Sequence, residues 1–266
     1  MNAVLISVFG IFFIFFCTTL GSSFVFFFHR EISGKLNDVI VGFAGGIMLS
    51  ASCFSLIQPV LETSSSALPG YGIAAIGITL GALFLYLIDK ALPHFHVSSS
   101  SDEGIHAERF DKTLKMFFAV TIHNIPEGLS VGIAFGVALA LLRENPGDMS
   151  SVFSALSLAI GIGIQNIPEG LAVALPFQAE TGKRGKAFLY GTLSGAVEPV
   201  AAILGLFLAM EVQAIMPYAL SFAGGAMLYV ILEEMVPEFK GENNSHRGVF
   251  SFLIGFILMM VMDQAL

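Results

Sequence analysis

The sequence predicts an all-α integral membrane protein with eight transmembrane helices, and three observations support this fold class. Hydrophobic residues make up 55% of the chain and charged residues only 12%, whereas a soluble domain carries about 25% charged residues. The mean hydropathy is +0.83. Eight apolar segments reach the roughly 20 residues that a helix needs to cross the hydrocarbon core of a bilayer. These features exclude a soluble globular fold.

The predicted spans are separated by short polar segments. They cover residues 3–28, 38–61, 71–92, 113–141, 152–176, 186–210, 214–236 and 247–266. No basic segment precedes the first span, and its apolar run is too long for a signal peptide, so we expect it to persist as a helix. No loop is long enough for a second domain. Residues 1–266 are therefore expected to form a single transmembrane domain with a flexible cytoplasmic loop at about 93–112.

Positive charge is confined to one side of this layout. Eleven of the twelve Lys and Arg residues fall in or beside the loops that follow spans one, three, five and seven, and Arg143 alone follows span four. Cytoplasmic loops carry an excess of Lys and Arg. The asymmetry therefore predicts that these four loops are cytoplasmic and that both termini are extracytoplasmic.

Two short sequences occur twice, in spans that run in opposite directions. Phe-Ala-Gly-Gly-Ile-Met-Leu at 43–49 recurs with one change at 222–228, and Asn-Ile-Pro-Glu-Gly-Leu at 124–129 recurs at 166–171. In the predicted orientation spans two and seven are antiparallel, as are spans four and five. Inverted repeats of this kind are typical of secondary transporters, and they predict a 3+2+3 arrangement. Small-residue motifs are also common at helix contacts, which leaves coincidence as the alternative.

Polar side chains are concentrated in three consecutive spans. Span four carries His123 and Glu127, span five carries Gln165 and Glu169, and span six carries Glu198. Residues four apart project from one face of a helix. Ionisable groups within a span are costly and usually functional, so this cluster is the candidate site.

Two prolines interrupt the backbone hydrogen bonds of spans four and five. A prolyl nitrogen cannot donate to the carbonyl four residues earlier, which is Ile122 for Pro126 and Ile164 for Pro168. We expect each helix to bend there and to release a carbonyl beside the cluster. Irregular backbone at membrane depth is tolerated where it lines a site.

A divalent cation is expected at this cluster. No Lys or Arg lies at a span centre, so the acids have no fixed counter-ion and would repel one another if the site were empty. Imidazole together with carboxylate oxygen suits zinc and its first-row neighbours. Met48 of span two is a candidate thioether ligand from a third helix, although methionine is equally common as a filler of hydrophobic cores.

A second layer of polar residues lies one position along the same helices. Asn124 and Asn166 follow His123 and Gln165, and Glu198 is the acid of span six. Two adjacent ion sites that share bridging glutamates are consistent with this spacing. Intramembrane Asn residues also serve to pack helices together, and helical spacing alone does not establish contacts between helices.

Four further acids lie near the ends of spans. Glu233 and Glu234 are expected toward the cytoplasmic end of span seven, in an exit vestibule or exposed at the surface. Asp89 and Asp263 are expected to be exposed at the membrane interface.

Three histidines lie in the loop at about 93–112, namely His94, His96 and His106. Loops with several histidines can collect metal weakly, but such widely spaced residues are nearly as consistent with ordinary solvated side chains.

The paired motifs identify a resemblance to a known family. His-Asn-Ile-Pro-Glu-Gly at 123–128 and Gln-Asn-Ile-Pro-Glu-Gly at 165–170, together with eight spans, resemble the Zrt/Irt-like (ZIP) metal transporters, and most of all their bacterial GufA-like branch. The resemblance implies uptake of zinc, with cadmium, iron and manganese as further substrates, into the cytoplasm across the plasma (inner) membrane. It also implies a homodimer, no enzymatic activity, and a four-helix unit that moves against the remaining helices.

The resemblance also implies a set of metal ligands in two sites. The first consists of Met48, His123, Glu127, Gln165 and Glu169, and the second adds Asn124, Asn166 and Glu198. Many family members have His where this chain has Gln165. Because an amide oxygen is a weaker and harder ligand than imidazole, we expect less selectivity for zinc.

We expect alternating access around a site near the bilayer midplane. A metal-selective channel is one alternative, and an intramembrane metalloenzyme is another. The sequence gives little support to the enzyme, because it contains no His-Glu-x-x-His pair and no Ser or Cys nucleophile placed with a base.

Overall fold

The structure is a computed structural model. It describes residues 2–27, 33–63, 68–91, 94–96, 101–103, 112–211, 215–240 and 246–265. Eight helical segments in it are long and apolar enough to cross a membrane, which confirms the predicted number of spans.

Four spans are single helices, and four are built from consecutive pieces. In chain order the helices are Ala3–Ser23 and the 3-10 helix Phe24–Phe26 for span one; Gly34–Ser50, Ala51–Ile57 and Gln58–Leu61 for span two; Gly70–Ala91 for span three; Lys112–Glu144 for span four; Ser150–Thr181 for span five; Arg184–Gly195 and Val197–Glu211 for span six; Met216–Val230, Ile231–Met235 and Val236–Lys240 for span seven; and His246–Ala265 for span eight.

A short hairpin occupies the described part of the loop between spans three and four. Strand β1 (His94–His96) pairs with strand β2 (Ser101–Glu103) in antiparallel register, with His94 opposite Glu103. The sequence predicts only a flexible loop here, so the hairpin is a difference from the prediction. The rest of that loop, His106 included, lies outside the described residues.

The helices pack as two groups of four. Span one packs against span five and span four against span six, and these four helices also contact one another. Span two packs against span eight and span three against span seven, with further contacts between spans two and seven. Burial is greatest in spans four and five and least in spans three and eight. The polar motifs of spans four and five therefore lie at the centre of the bundle.

Close packing of these helices depends on glycine. A Cβ on Gly225 of span seven would collide with the backbone of Ile78 in span three, and a Cβ on Gly170 of span five would collide with the carbonyl oxygen of Thr18 in span one. Small residues of this kind let membrane helices approach to backbone contact. The glycine-rich motifs are thus part of the packing that holds the polar residues in place.

Three irregularities interrupt otherwise regular spans. Residues Ala51–Ile57 of span two and Ile231–Met235 of span seven form π-helical segments, which are rare and often found at functional sites. Span six breaks at Ala196. Pro199 explains this break, because its ring clashes with the carbonyl of Gly195 and its nitrogen has no hydrogen to donate to it.

The glycine contacts generate a stability prediction. We expect Gly225→Ala to lower the melting temperature of the purified protein by several degrees, because the added methyl collides with the Ile78 backbone and overpacking costs about 1–3 kcal/mol. Gly72→Ala is the matched control: its Cβ would meet only Pro69 and Leu68, at 3.7 Å or more, and alanine is the better helix former. Equal melting temperatures for the two variants would contradict the packing described here.

Candidate metal site

Two predicted site residues from neighbouring spans are in direct contact. Gln165 Nε2 of span five donates a hydrogen bond to Glu127 Oε1 of span four at 2.7 Å. Both side chains are fully buried. The contact joins the two copies of the repeated motif across the centre of the bundle.

Three carboxyl groups interact within this region. Glu127, Glu169 and Glu198 are close enough to influence one another electrostatically, although they come from three different spans. The amide of Asn166 lies beside both Glu127 and Glu198 without meeting the geometry of a hydrogen bond. The structure therefore brings Glu127 and Glu169 together with two residues of the predicted second layer, Glu198 and Asn166.

The break in span six places Glu198 at the start of a new helix. Its carboxyl group lies in the first turn of the helix that resumes at Val197, where it is fully buried. Thr18 of span one donates a hydrogen bond from Oγ1 to Glu198 Oε1 at 2.6 Å. A carboxylate near a helix N-terminus is favoured by the helix dipole, which partly offsets the cost of burying it.

His123 lies on the same helix face as Glu127, but its hydrogen-bond partner is a residue of span seven. Its Nε2 atom is hydrogen-bonded to Glu234 Oε1 of span seven. The His123 ring also interacts electrostatically with Glu169 and Asp89. The imidazole thus connects the central cluster to acids nearer the end of the bundle that carries most of the Lys and Arg residues.

Asn124 and Met48 are both buried but differ in their surroundings. Asn124 Nδ2 donates to the carbonyl of Ser194 in span six at 2.9 Å, the helix-packing role considered for an intramembrane Asn. Met48 is 1% exposed and belongs to the main hydrophobic core together with Ile162, which lies one turn before Gln165. The structure does not place the Met48 sulfur in a hydrogen-bonded or ionic contact among the described residues.

Oxygen atoms without partners are the main feature of the cluster. Buried side-chain oxygens that lack a hydrogen-bond partner within the described part of the protein include one each from Asn124, Glu127, Gln165, Asn166, Glu169 and Glu198. A buried polar atom left unsatisfied costs about 1–3 kcal/mol, and more when it is charged. A bound cation with oxygen ligands would satisfy these atoms.

The described residues contain no group of three or more His, Cys, Asp or Glu side chains arranged to hold a metal ion. Four of the eight predicted ligands are Met, Asn or Gln, residue types that such a group does not include, and the only predicted His ligand is bonded to Glu234.

The acids near the span ends differ from one another in burial. Asp89 is only 4% exposed, so the prediction that it lies exposed at the interface is wrong. Its helix continues to Ala91, and Asp89 faces the bundle close enough to His123 to interact with it electrostatically. Asp263 is half-buried and accepts a hydrogen bond from Ser55.

At the end of span seven, Glu233 is exposed and Glu234 is half-buried. Because Glu234 is bonded to His123, its side chain faces the inside of the bundle rather than the outer surface.

Sequence reasoning missed Thr18 entirely. A single threonine in an apolar helix gives no signal, because it usually bonds to the carbonyl one turn earlier. The break in span six could have been inferred, since Pro199 directly follows Glu198.

Comparisons with known proteins agree with this arrangement. The profile of the ZIP Zinc transporter family matches residues 112–263, a region that contains Glu127, Glu169 and Glu198. The chain belongs to the ZIP zinc transporter family. The resemblance predicted from the paired motifs is confirmed, and the protein is a multi-pass membrane transporter of divalent metal rather than an enzyme.

Individual ZIP proteins match along most of their length. The chain is 37% identical to zinc transporter GufA of Myxococcus xanthus, with 89% of each chain covered. It is 32% identical to zinc transporter ZIP11 of Homo sapiens over 100% of this chain and 98% of the relative. Zinc transporter ZIPB of Bordetella bronchiseptica is 34% identical over 89% of this chain and 74% of its own length.

The contact between Gln165 and Glu127 generates a prediction about metal preference in this ZIP protein. We expect Gln165→His to raise the preference for zinc over manganese and iron in competition uptake, because imidazole is a better zinc ligand than an amide oxygen. Gln178→His, on the same helix but two turns or more beyond the cluster, is the control. An unchanged order of metals in Gln165→His would dismiss the role assigned to this position.

Proposed function

We propose that this ZIP protein takes up divalent metal ions, chiefly zinc, by alternating access around a two-ion centre formed by spans two, four, five and six. The observation that carries the proposal is the set of buried carboxyl oxygens on Glu127, Glu169 and Glu198 that have no hydrogen-bond partner in the described part of the chain. No Lys or Arg lies at a span centre to neutralise them. A mobile divalent cation would supply the missing charge.

Each member of the predicted ligand set has a role in this proposal. Glu127 and Glu169 bridge the two ions, and the first ion is completed by His123, Gln165 and Met48. The second ion takes Asn124, Asn166 and Glu198. His123 would have to exchange Glu234 for the metal, a change that releases Glu234 to receive the ion as it leaves.

Carboxylate and amide ligands suit a transport site. A closed thiolate cage holds zinc as a structural metal, whereas a carried ion must be released at the far side. Cadmium, iron and manganese are proposed as further substrates because the amide of Gln165 replaces a more zinc-selective imidazole.

An inverted repeat is the proposed basis of alternating access, and equivalent contacts in the two halves support it. Gly81 of span three lies against the carbonyl oxygen of Phe222 in span seven, and Gly255 of span eight lies against that of Phe43 in span two. Phe43 and Phe222 occupy the same position of the repeated motif. These contacts relate spans two and three to spans seven and eight.

The backbone irregularities fit the same relationship. The π-helical segment of span two begins two residues after the repeated motif, and that of span seven begins three residues after it. The pairing of span one with span five likewise matches that of span six with span four. We propose that spans one, four, five and six form the unit that carries the ions, and that it moves against the other four.

Orientation and assembly complete the proposal. The clustering of Lys and Arg in the loops after odd spans supports cytoplasmic placement of those loops, with extracytoplasmic termini and transport into the cytoplasm. A homodimer in the plasma (inner) membrane is proposed from the family resemblance alone.

Isosteric replacement of the bridging acids tests the two-ion centre. In proteoliposomes we expect Glu127→Gln and Glu169→Gln each to reduce saturable zinc uptake by at least roughly tenfold, since metal ligands and their partners contribute on this order. Zinc should stabilise the wild-type protein against heat, because a ligand of the folded state alone raises its stability. This stabilisation should be absent in Glu127→Gln.

The control for these variants is Glu180→Ala, which removes an exposed acid from the same helix as Glu169 and should leave uptake unchanged. Uptake by either glutamine variant at the wild-type rate would overturn the proposed site. Uptake that rises linearly with zinc, without saturation, would favour a channel over a carrier.

The donor chemistry also sets the direction of the pH dependence. Imidazole and carboxylate bind metal only when deprotonated, so protons compete with zinc and uptake should decline toward acid pH. The measurement is initial zinc uptake with the same pH on both sides of the liposome membrane, which excludes a driving proton gradient. A rate that climbs steadily as the pH falls would be incompatible with this competition.

A further inference from the structure

Thr18 is a buried polar residue to which the proposed ion centre assigns no role. It lies in span one and is fully buried. Its Oγ1 atom is 2.6 Å from Glu198 Oε1 and 3.3 Å from the carbonyl oxygen of Ile14. A hydroxyl has a single hydrogen to donate, and the shorter contact to a carboxylate is the stronger bond. The Thr18 hydroxyl therefore donates its hydrogen to Glu198.

The side chain of Thr18 is held in this orientation by its neighbours. A Cβ on Gly195 would lie 2.7 Å from Thr18 Cγ2, so the threonine methyl fills the space that the glycine leaves. Gly170 lies against the backbone carbonyl of Thr18. Since β-branched side chains are stiff at χ1, packing of the methyl group also fixes the direction of the hydroxyl.

Fixing one carboxyl oxygen of Glu198 determines where the other points. Oε2 of Glu198 is buried and has no hydrogen-bond partner among the described residues. The amide of Asn166 lies beside the same carboxyl group, and Glu127 interacts with it electrostatically. Oε2 is thus the oxygen left for a ligand on the side of the cluster formed by Asn166 and Glu127.

We infer that Thr18 is a positioning residue for the second ion, which it serves by holding Glu198 Oε1 so that Oε2 faces the metal. The inference rests on the proposed function, because it assumes the second ion site. It adds span one to the four spans that supply the proposed ligands. According to this inference, the Thr18 hydroxyl raises the affinity for the second ion without contacting the metal directly.

Calorimetric titration of the purified full-length protein with zinc tests this inference. The wild-type protein should bind two zinc ions per chain. Thr18→Val, which has nearly the same shape without the hydroxyl, should weaken one of the two by roughly tenfold to a hundredfold, the usual effect of losing a residue that orients a metal ligand. The other ion should bind with unchanged affinity, and Thr18→Ser should restore both.

The adjacent threonine supplies a matched control. Thr19 Oγ1 is buried and has no hydrogen-bond partner among the described residues, so Thr19→Val should bind both ions as the wild type does. In a Glu198→Gln background Thr18→Val should cause no further loss, whereas a general packing defect would add to it. Thr18→Ala serves as the second variant if valine prevents folding.

Two results would overturn the inference. Binding of both ions with wild-type affinity by Thr18→Val or Thr18→Ala would show that the hydroxyl does not act on the site. Binding of a single ion by the wild-type protein would remove the second site. Either result leaves the proposed uptake intact when it still depends on Glu127, whereas failure of that dependence would refute the proposed function itself.

Discussion

The structure depends on one electrostatic constraint, which is the burial of several carboxyl groups in spans that carry no Lys or Arg at their centres. Glu127 and Glu198 are fully buried, and with Glu169 they form a group of interacting acids. Burying an uncompensated charge costs so much that proteins normally pair it or bind a metal to it. In the function we propose for this ZIP protein, the transported ion supplies the compensation, so the same acids that destabilise the empty site would provide the affinity for the substrate.

Packing of the surrounding helices holds the acids together in spite of their repulsion. Glycine lets spans one and five, and likewise spans three and seven, approach to backbone contact. Hydrogen bonds from Gln165 and Thr18 each use one carboxyl oxygen and leave the other available. The break before Glu198 in span six adds a helix N-terminus to the cluster. Rigid packing outside the site thus holds the acids in place, and incomplete hydrogen bonding inside it leaves their oxygens available.

The sequence predicts the spans, the family and the central residues because each leaves a local pattern. Twenty apolar residues or a duplicated Asn-Ile-Pro-Glu-Gly can be recognised without knowing how helices pack. Contacts between spans leave no such pattern. The bond from His123 to Glu234, the burial of Asp89 and the hydrogen bond from Thr18 all depend on which helix faces meet. The break at Ala196 lies between these cases, since Pro199 signals it locally.

Anomalous X-ray diffraction at the zinc absorption edge, from crystals grown with zinc, tests the central claim most directly. The account predicts anomalous peaks between Glu127 and Glu169, within bonding distance of the carboxyl oxygens that lack partners here. Zinc found only at surface histidines or loop carboxylates, with the central acids vacant, would contradict the claim that these acids are buried in order to receive the transported ion.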